Sequence, residues 1–188
     1  SGTGGKGLSG SRTLNSNFSA TWTGTGNIDF SSGTLNIAAG TTFDIQTDAD
    51  VTQGGTINNA GTFQKSTGAG TTDIGFDTAF NNTGTFQALT GTLNLPPNGS
   101  YTQTSGVTRL NGGSITKSGT SMSIQGGTLE GVGTLTGSVN NSGGTLSPGL
   151  SPGQLNESGA YTQGASGAFN VEIGGLTVAT EYDRAAIT

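Results

Sequence analysis

The chain is 188 residues long, with 36 glycines, a net charge of -5 and neither cysteine nor histidine. These absences exclude disulfides, thiolate nucleophiles, cysteine-ligated zinc and Ser-His-Asp hydrolysis. The six Lys and Arg residues are too few for a basic nucleic-acid-binding surface, and no apolar run approaches the ~20 residues that span a bilayer. We therefore predict no nucleic-acid partner, no membrane insertion of this segment and no cofactor.

The start of the chain is rich in glycine and poor in apolar side chains. Residues 1–12 are accordingly predicted to form a flexible linker, and residues 13–188 a single domain. Because the sequence stops within a stretch of strand character at Ala185–Thr188, we expect the chain to be a fragment of a longer protein.

Trp22 is the only tryptophan and lies in a Thr-Trp-Thr context near the start of the predicted domain. An exposed indole in this place could stack on a sugar ring, which makes Trp22 a candidate carbohydrate-binding residue. A single tryptophan near one end of a domain also serves as an apolar cap over the first layer of the core. The cap is the favoured interpretation.

From Ile28 to Phe169, large apolar residues recur in short clusters in which apolar and polar residues alternate. This alternation is typical of strands and leaves no helical periodicity. The clusters follow one another every ~7 residues, which is too short for the hairpins of a sandwich or barrel and favours a β-solenoid. We predict an all-β fold with about three short strands per coil of ~20–23 residues and roughly seven coils.

Internal repeats support the solenoid. The segment Ile57–Phe63 (INNAGTF) recurs one predicted coil later as Phe80–Phe86 (FNNTGTF), and again as Val139–Leu146 (VNNSGGTL). In each copy glycine makes the corner, threonine faces outward, and the apolar residue after it fills the interior, while stacked Asn pairs hydrogen bond from coil to coil. The predicted core is Ile37, Phe43, Ile45, Ile57, Phe63, Phe80, Phe86, Leu93, Leu95, Ile124, Leu129, Leu135, Val139 and Leu146.

Acidic residues cluster in the segment from Asp44 to Asp77. Asp50 and Asp73 are separated by one predicted coil, so successive coils would stack their carboxylates, which repel each other unless a cation neutralises them. Calcium prefers oxygen ligands, and Asp48, Asp50 and Asp73 are its candidate ligands. Solvated surface loops are the favoured alternative.

The same cluster supplies the paired carboxylates that a polysaccharide-cleaving β-helix would need, together with Lys65 and Arg109. Because the charged residues are dispersed along the chain, we predict that the protein is not an enzyme.

The last part of the chain carries a distinctive series of motifs. It runs Gly144–Leu155 (GTLSPGLSPGQL), Gly159–Gln163 (GAYTQ), Gly167–Ile173 (GAFNVEI) and then Asp183. This series resembles the region near the C-terminal end of bacterial autotransporter passenger domains and of related adhesin-like surface proteins rich in Gly, Thr and Asn. The resemblance implies a right-handed parallel β-helix that is exported and displayed, extracellularly, on the cell surface.

These observations predict a non-catalytic stalk or passenger segment of an exported bacterial surface protein, adhesin-like, with glycans or surface proteins as partners. The alternatives are a carbohydrate-binding or polysaccharide-degrading β-helix, and the shaft of a phage or other fibre. Phe169, Val171 and Ile173 form the clearest alternating strand. We therefore expect residues from Leu146 onward to be the most stable part, with self-association possible through open solenoid ends.

Overall fold

The computed structural model describes residues 2–188, which contain 24 short β-strands and no helix. The strands pair in parallel from coil to coil and form a β-solenoid of about 7 turns with about three strands per coil. The predicted fold class is thus confirmed. No helix in the described part of the chain is long and apolar enough to cross a membrane.

Each turn of the solenoid contributes strands to three lateral faces. The first face contains β2 (Thr13–Ser16), β5 (Thr34–Ile37), β8 (Thr56–Asn59), β11 (Ala79–Asn82), β14 (Ser100–Gln103), β17 (Met122–Ile124), β19 (Val139–Asn141) and β22 (Tyr161–Gln163). The second face contains β3 (Ala20–Trp22), β6 (Thr42–Ile45), β9 (Thr62–Lys65), β12 (Thr85–Ala88), β15 (Val107–Asn111), the first half of β18 (Thr128–Thr136), β20 (Thr145–Pro148) and β23 (Ala168–Phe169).

The third face contains β1 (Lys6–Gly7), β4 (Ile28–Asp29), β7 (Val51–Thr52), β10 (Thr71–Asp73), β13 (Thr92–Leu95), β16 (Ser114–Lys117), the second half of β18, β21 (Gln154–Ser158) and β24 (Arg184–Ile187). A bridge between Val51 and Ile74 joins its first three strands to the rest. Because β18 runs through the corner between the second and third faces, these two faces form one hydrogen-bonded sheet there.

Coil length follows from the strand register. Thr42 pairs with Thr62, and Phe63 with Phe86, and both offsets agree with the predicted coil. Thr128 pairs with Thr145 across a shorter coil, because β18 turns the corner without a loop. Gln154 pairs with Arg184 across a longer one, because an irregular segment is inserted in the last coil.

The core is one continuous column of inward-facing apolar side chains, and all fourteen predicted core residues are buried in it. Aromatic rings from successive coils touch: the centroids of Phe43 and Phe63 are 5.7 Å apart, and those of Phe63 and Phe86 are 5.8 Å apart. Within one coil, Phe80 packs edge-on against Phe86 at 4.9 Å. The contacts between neighbouring coils bury apolar area that a single coil could not cover.

Asn ladders run along the first face, as the repeats predict. On its outer surface the side-chain amide of Asn36 donates to Asn15 at 2.8 Å, Asn58 to Asn36 at 2.8 Å, and Asn81 to Asn58 at 2.9 Å. Inside the corner that follows, the amide of Asn59 donates to Asn82 at 2.8 Å. The inner bond pairs the buried N–H group of Asn59, and both ladders hold the register of neighbouring coils.

Glycines line the corner between the first and second faces because the backbones of successive coils meet there. A Cβ on Gly84 would overlap the carbonyl oxygen of Gly61, and one on Gly106 would overlap that of Gly84. Close approach between coils therefore accounts for the Gly-Thr-apolar repeat, in which all seven apolar residues are buried: Leu35, Phe63, Phe86, Leu93, Leu129, Leu135 and Leu146.

The two ends of the chain differ from their predictions. Lys6–Gly7, within the predicted linker, pairs with β4, and Leu8 packs against the core, so the solenoid begins before residue 13. The predicted strand at Phe169–Ile173 is wrong: β23 ends at Phe169, which is 49% exposed, and Ile173 is 82% exposed. Among the described residues, no further coil covers the side chains of this segment.

Candidate functional site

The acidic residues predicted to stack lie on the third face. Asp50 and Asp73 occupy adjacent coils, and the backbone N–H of Asp73 donates to Oδ1 of Asp50 at 2.8 Å. Oδ1 of Asp73 in turn accepts a hydrogen bond from the Asn94 side chain at 2.7 Å. The predicted stacking of Asp50 and Asp73 is therefore confirmed, and donors from the next coil hydrogen bond to both carboxylates.

Asp48 lies apart from that column because its carboxylate pairs with Lys65, with Nζ and Oδ1 2.7 Å apart. The hydrogen bond from Lys65, helped by its positive charge, lowers the pKa of Asp48. The Lys65 side chain is fully buried, and its Nζ also donates to the Thr72 hydroxyl at 3.2 Å and to the Thr47 carbonyl. Asp48 thus serves as the counter-ion of a buried ammonium group.

The predicted calcium ligands are consequently not brought together. Within residues 2–188, no group of three or more His, Cys, Asp or Glu side chains has a geometry that could hold a metal ion. The three-aspartate site of Asp48, Asp50 and Asp73 is wrong, because Asp48 turns toward Lys65 instead of joining the other two.

The basic residues of the alternative enzyme interpretation lie elsewhere. Lys65 points into the solenoid, and Nε of Arg109 is paired with Oε1 of Glu130 at 2.6 Å on the second face. Neither cation is directed at the Asp50–Asp73 column, so the paired acids lack the basic partner that this interpretation assigns to them.

Trp22 is only 5% exposed and lies on β3, the edge strand of the second face, in register with Ile45. Its indole N–H donates to the carbonyl of Gly26 at 3.3 Å. Packed in the core, the ring offers no free face to a sugar, so Trp22 is not a carbohydrate-stacking residue. Its place in the first coils agrees with the cap interpretation.

A shallow groove lies beside the acidic column and has a volume of about 350 Å³. The side chains of Asp50, Asp73 and Phe76 line it together with Pro96 and Pro97. Phe76 is 60% exposed although it lies far from both ends of the solenoid. Aromatic faces next to carboxylates suit ligands that are partly apolar and rich in hydroxyl groups, such as sugars.

Sequence patterns did not indicate this groove, because Phe76 continues the alternation that begins at Ile74. The chain departs from the strand at Gly75, where a Cβ would overlap the carbonyl of Gln53 on the coil below. This turn directs Phe76 outward. The only signal in the sequence is Gly75, two residues after the end of β10, and many other corners of the chain also carry a glycine.

A second cavity of about 320 Å³ lies at the proline-glycine corner of the C-terminal motif. There Asp183 accepts a hydrogen bond from the N–H of Gly153 at 2.8 Å through one oxygen, and from that of Glu172 at 2.9 Å through the other. The aspartate at the end of the motif therefore fastens this corner to the last coil, which is a structural role.

Among residues 2–188, one carboxyl group and one amino group are buried inside the solenoid without a charged partner. Glu157 is 3% exposed and its Oε1 accepts no hydrogen bond, so that burial raises the pKa of this carboxyl to about 7. Lys117 is 1% exposed and donates to the Thr120 hydroxyl and the Ser118 carbonyl, and burial lowers its pKa. In the sequence, their burial was indicated by their positions in the strand alternation, since Glu157 in β21 and Lys117 in β16 each fall on the inward-facing side.

Comparison with known proteins finds no protein-family model, no curated protein and no solved structure that matches this chain. The resemblance of its C-terminal motifs to autotransporter passengers therefore stays a prediction.

Proposed function

We propose that this chain is a non-catalytic stalk or passenger segment of an exported, adhesin-like bacterial surface protein. The observation that carries the proposal is the uninterrupted core, which runs from Trp22 to Leu155 and makes the solenoid a continuous rod. A rod built by stacking coils holds a distal part of a protein at a fixed distance, and its length is set by the number of coils.

The polar groups of the chain agree with this role. The three candidate aspartates hydrogen bond to donors of the solenoid itself, and the ion pairs Lys65–Asp48 and Arg109–Glu130 each join neighbouring parts of the rod. The absence of cysteine suits passage through an oxidising compartment, because no disulfide can form there before export.

Surface display tests the proposal. The chain, with an epitope at its N-terminus, would be placed between an export signal and an autotransporter barrel in a Gram-negative host. We expect the epitope to be accessible on intact cells, and trypsin added outside to cut at exposed residues such as Arg12. Lys65 and Lys117 are buried and should resist cleavage. An inaccessible epitope, or rapid cleavage after Lys65, would contradict the proposal.

A matched control shows whether display depends on the rod. Phe86 is fully buried, whereas Phe18 is 85% exposed. Phe86→Asp should lower display and permit cleavage after Lys65 and Lys117, while Phe18→Asp should leave both unchanged.

The groove beside Phe76 favours glycan binding as a second candidate function. Asp50 and Asp73 would accept hydrogen bonds from sugar hydroxyls, while the exposed ring of Phe76 packs against the apolar face of the sugar. A glycan array with the wild-type chain and Phe76→Ser tests this function. Binding that is lost in Phe76→Ser but kept in Phe18→Ser supports it, and no binding by the wild type excludes it at the ligands tested.

A further inference from the structure

The groove beside Asp50 and Asp73 carries negative charge that no cation of the described chain balances. The salt bridges found within residues 2–188 lie elsewhere, and the groove is lined by no lysine or arginine. Asp73 is exposed at the groove and Asp50 is partly buried. Because the groove is anionic and open to solvent, its charge favours a ligand that carries positive charge.

The two carboxylates lie close enough for one cation to reach both. Asp50 and Asp73 directly precede Val51 and Ile74, which form a parallel bridge, so their backbones are one strand spacing apart, ~4.8 Å. Each carboxylate uses Oδ1 for a hydrogen bond from the next coil, which leaves Oδ2 for a ligand. An ammonium group that contacts each carboxylate at ~2.8 Å would bridge the pair.

An apolar wall stands next to these carboxylates. The ring of Phe76 is 60% exposed, and Pro96 and Pro97 line the same groove. An aromatic face attracts both a cation and the C–H face of a sugar ring. A bare metal ion would leave the ring unused, and a purely apolar ligand would desolvate the carboxylates without pairing them. The groove therefore suits an organic cation.

Two side-chain amides complete the lining of the groove. Gln53 is exposed there, and Asn94 donates through Nδ2 to Asp73 at 2.7 Å. Oδ1 of Asn94 is buried and accepts no hydrogen bond from the described residues, so a ligand donor that enters beside it would satisfy this acceptor. Amides both donate and accept, which suits a ligand that also carries hydroxyl groups.

We propose that this groove binds glycans whose sugars carry a free, protonated amino group. The inference rests on the glycan-binding candidate function and narrows its ligand class to amino sugars. The ammonium group bridges Asp50 and Asp73, and the C–H face of the sugar ring packs against Phe76. The sugar hydroxyls hydrogen bond to the amides of Gln53 and Asn94. N-acetylation of the sugar removes the charge on which the first of these contacts depends.

Calorimetry with two matched tetrasaccharides is the first test. The ligands are the β-1,4-linked tetramer of glucosamine and its fully N-acetylated counterpart, which differ only at the amino groups. We expect the free amine to bind about tenfold more tightly, with a difference that shrinks as salt rises. Equal affinity would overturn the amino-sugar inference while leaving glycan binding in place. No binding of either tetramer would overturn both for these sugars.

Matched charge variants separate the groove from general attraction to an acidic protein. Asp73→Asn keeps an oxygen that accepts the hydrogen bond from Asn94 but removes the negative charge. It should weaken binding of the glucosamine tetramer about fivefold and leave the N-acetylated tetramer unaffected. Glu172→Gln makes the same change in net charge at an exposed position in the last coil and should have no effect. Equal losses in the two variants would overturn the proposal.

A basic peptide tests whether the occupant is a sugar. Tetralysine with blocked termini carries the same number of positive charges as the glucosamine tetramer but has no sugar ring. Phe76→Ser should weaken binding of the glucosamine tetramer about tenfold, with unchanged circular dichroism because Phe76 is exposed, and Phe18→Ser should not. We expect tetralysine to bind more weakly than the glucosamine tetramer. Tetralysine that binds as tightly, and loses affinity in Phe76→Ser, would assign the groove to a basic protein segment and overturn the proposal.

Discussion

The tripeptide Tyr-Thr-Gln occurs twice on the first face, in the middle of the rod and in its last coil. Tyr101 and Gln103 are buried, and the Gln103 side chain donates to the Gly126 carbonyl of the next coil at 2.9 Å. Tyr161 is half-buried and Gln163 is exposed, and the Gln163 amide donates within its own coil to Gly167. Identical residues thus differ in burial because only the first copy lies beneath another coil.

The difference shows that stability in this fold comes from neighbours rather than from local sequence. Central strands such as β11 and β12 are paired on both sides, whereas β22, β23 and β24 are paired on one side only among the described residues. From the sequence we expected residues from Leu146 onward to be the most stable part of the chain. That expectation depended on a strand at Phe169–Ile173, which the structure does not contain.

Hydrogen exchange should show the largest difference between the two regions. We expect amides of Phe80 and Phe86 to exchange about a hundredfold or more slowly than those of Gly164 and Asn170, which donate to the preceding coil, because edge coils open locally while central coils exchange only through larger unfolding. Faster exchange at Phe86 than at Asn170 would restore the sequence expectation.

Matched truncations of phenylalanine compare packing in the same inward column. Phe86 is fully buried and Phe169 is half-exposed, so Phe86→Ala should lower the free energy of unfolding by ~3–5 kcal/mol and Phe169→Ala by about 1 kcal/mol or less. Urea denaturation followed by circular dichroism measures both. Similar losses at the two positions would show that the last coil is packed as tightly as the centre.

Matched glycine substitutions compare the corners. A Cβ at Gly84 meets the backbone carbonyl of the coil below, whereas one at Gly164 lies 3.2 Å from the nearest atom, Cα of Ser142. Gly84→Ala should therefore cost roughly 2–4 kcal/mol and Gly164→Ala less than about 1 kcal/mol. Thermal melting of the two variants distinguishes them, and an unchanged melting temperature for Gly84→Ala would contradict the close packing of this corner.

A smaller effect should depend on pH. Burial raises the pKa of Glu157 to about 7 from an ordinary value of 4.5, so the folded last coil favours the protonated carboxyl. Its stability should be highest below pH ~4.5 and should fall as pH rises toward ~7. The charge of Glu157 also contributes, after burial, to the raised pKa of Tyr161, which lies beside it.

Exchange at Ala185–Ile187, the strand paired with β21, measures this effect after correction for intrinsic rates. We expect greater protection at pH 5 than at pH 8 in the wild type. Glu157→Gln should protect the strand equally at both values, because its side chain does not titrate. If Glu157→Gln kept the full pH dependence of exchange, a different ionisable group would be responsible for it.

The inward positions of the central coils follow from the sequence because they need only local information. Alternation places every second residue inside, and glycine marks each corner, so Ile57, Phe63 and Leu93 are correctly assigned without any knowledge of their neighbours. The Asn ladder is equally predictable, since residues one coil apart must stack.

Only the tertiary structure shows those features of a residue that depend on the coil above or below it, such as its burial and its charged partner. Lys65 and Glu157 occupy inward phases that pattern alone assigns to apolar residues, and Asp48 joins Lys65 instead of the other acids. Phe76 faces outward because Gly75 meets the preceding coil, and Phe169 is exposed because no coil covers it among the described residues. Burial in a solenoid is a property of neighbouring coils, whereas the sequence of one segment specifies only which side of a strand each residue occupies.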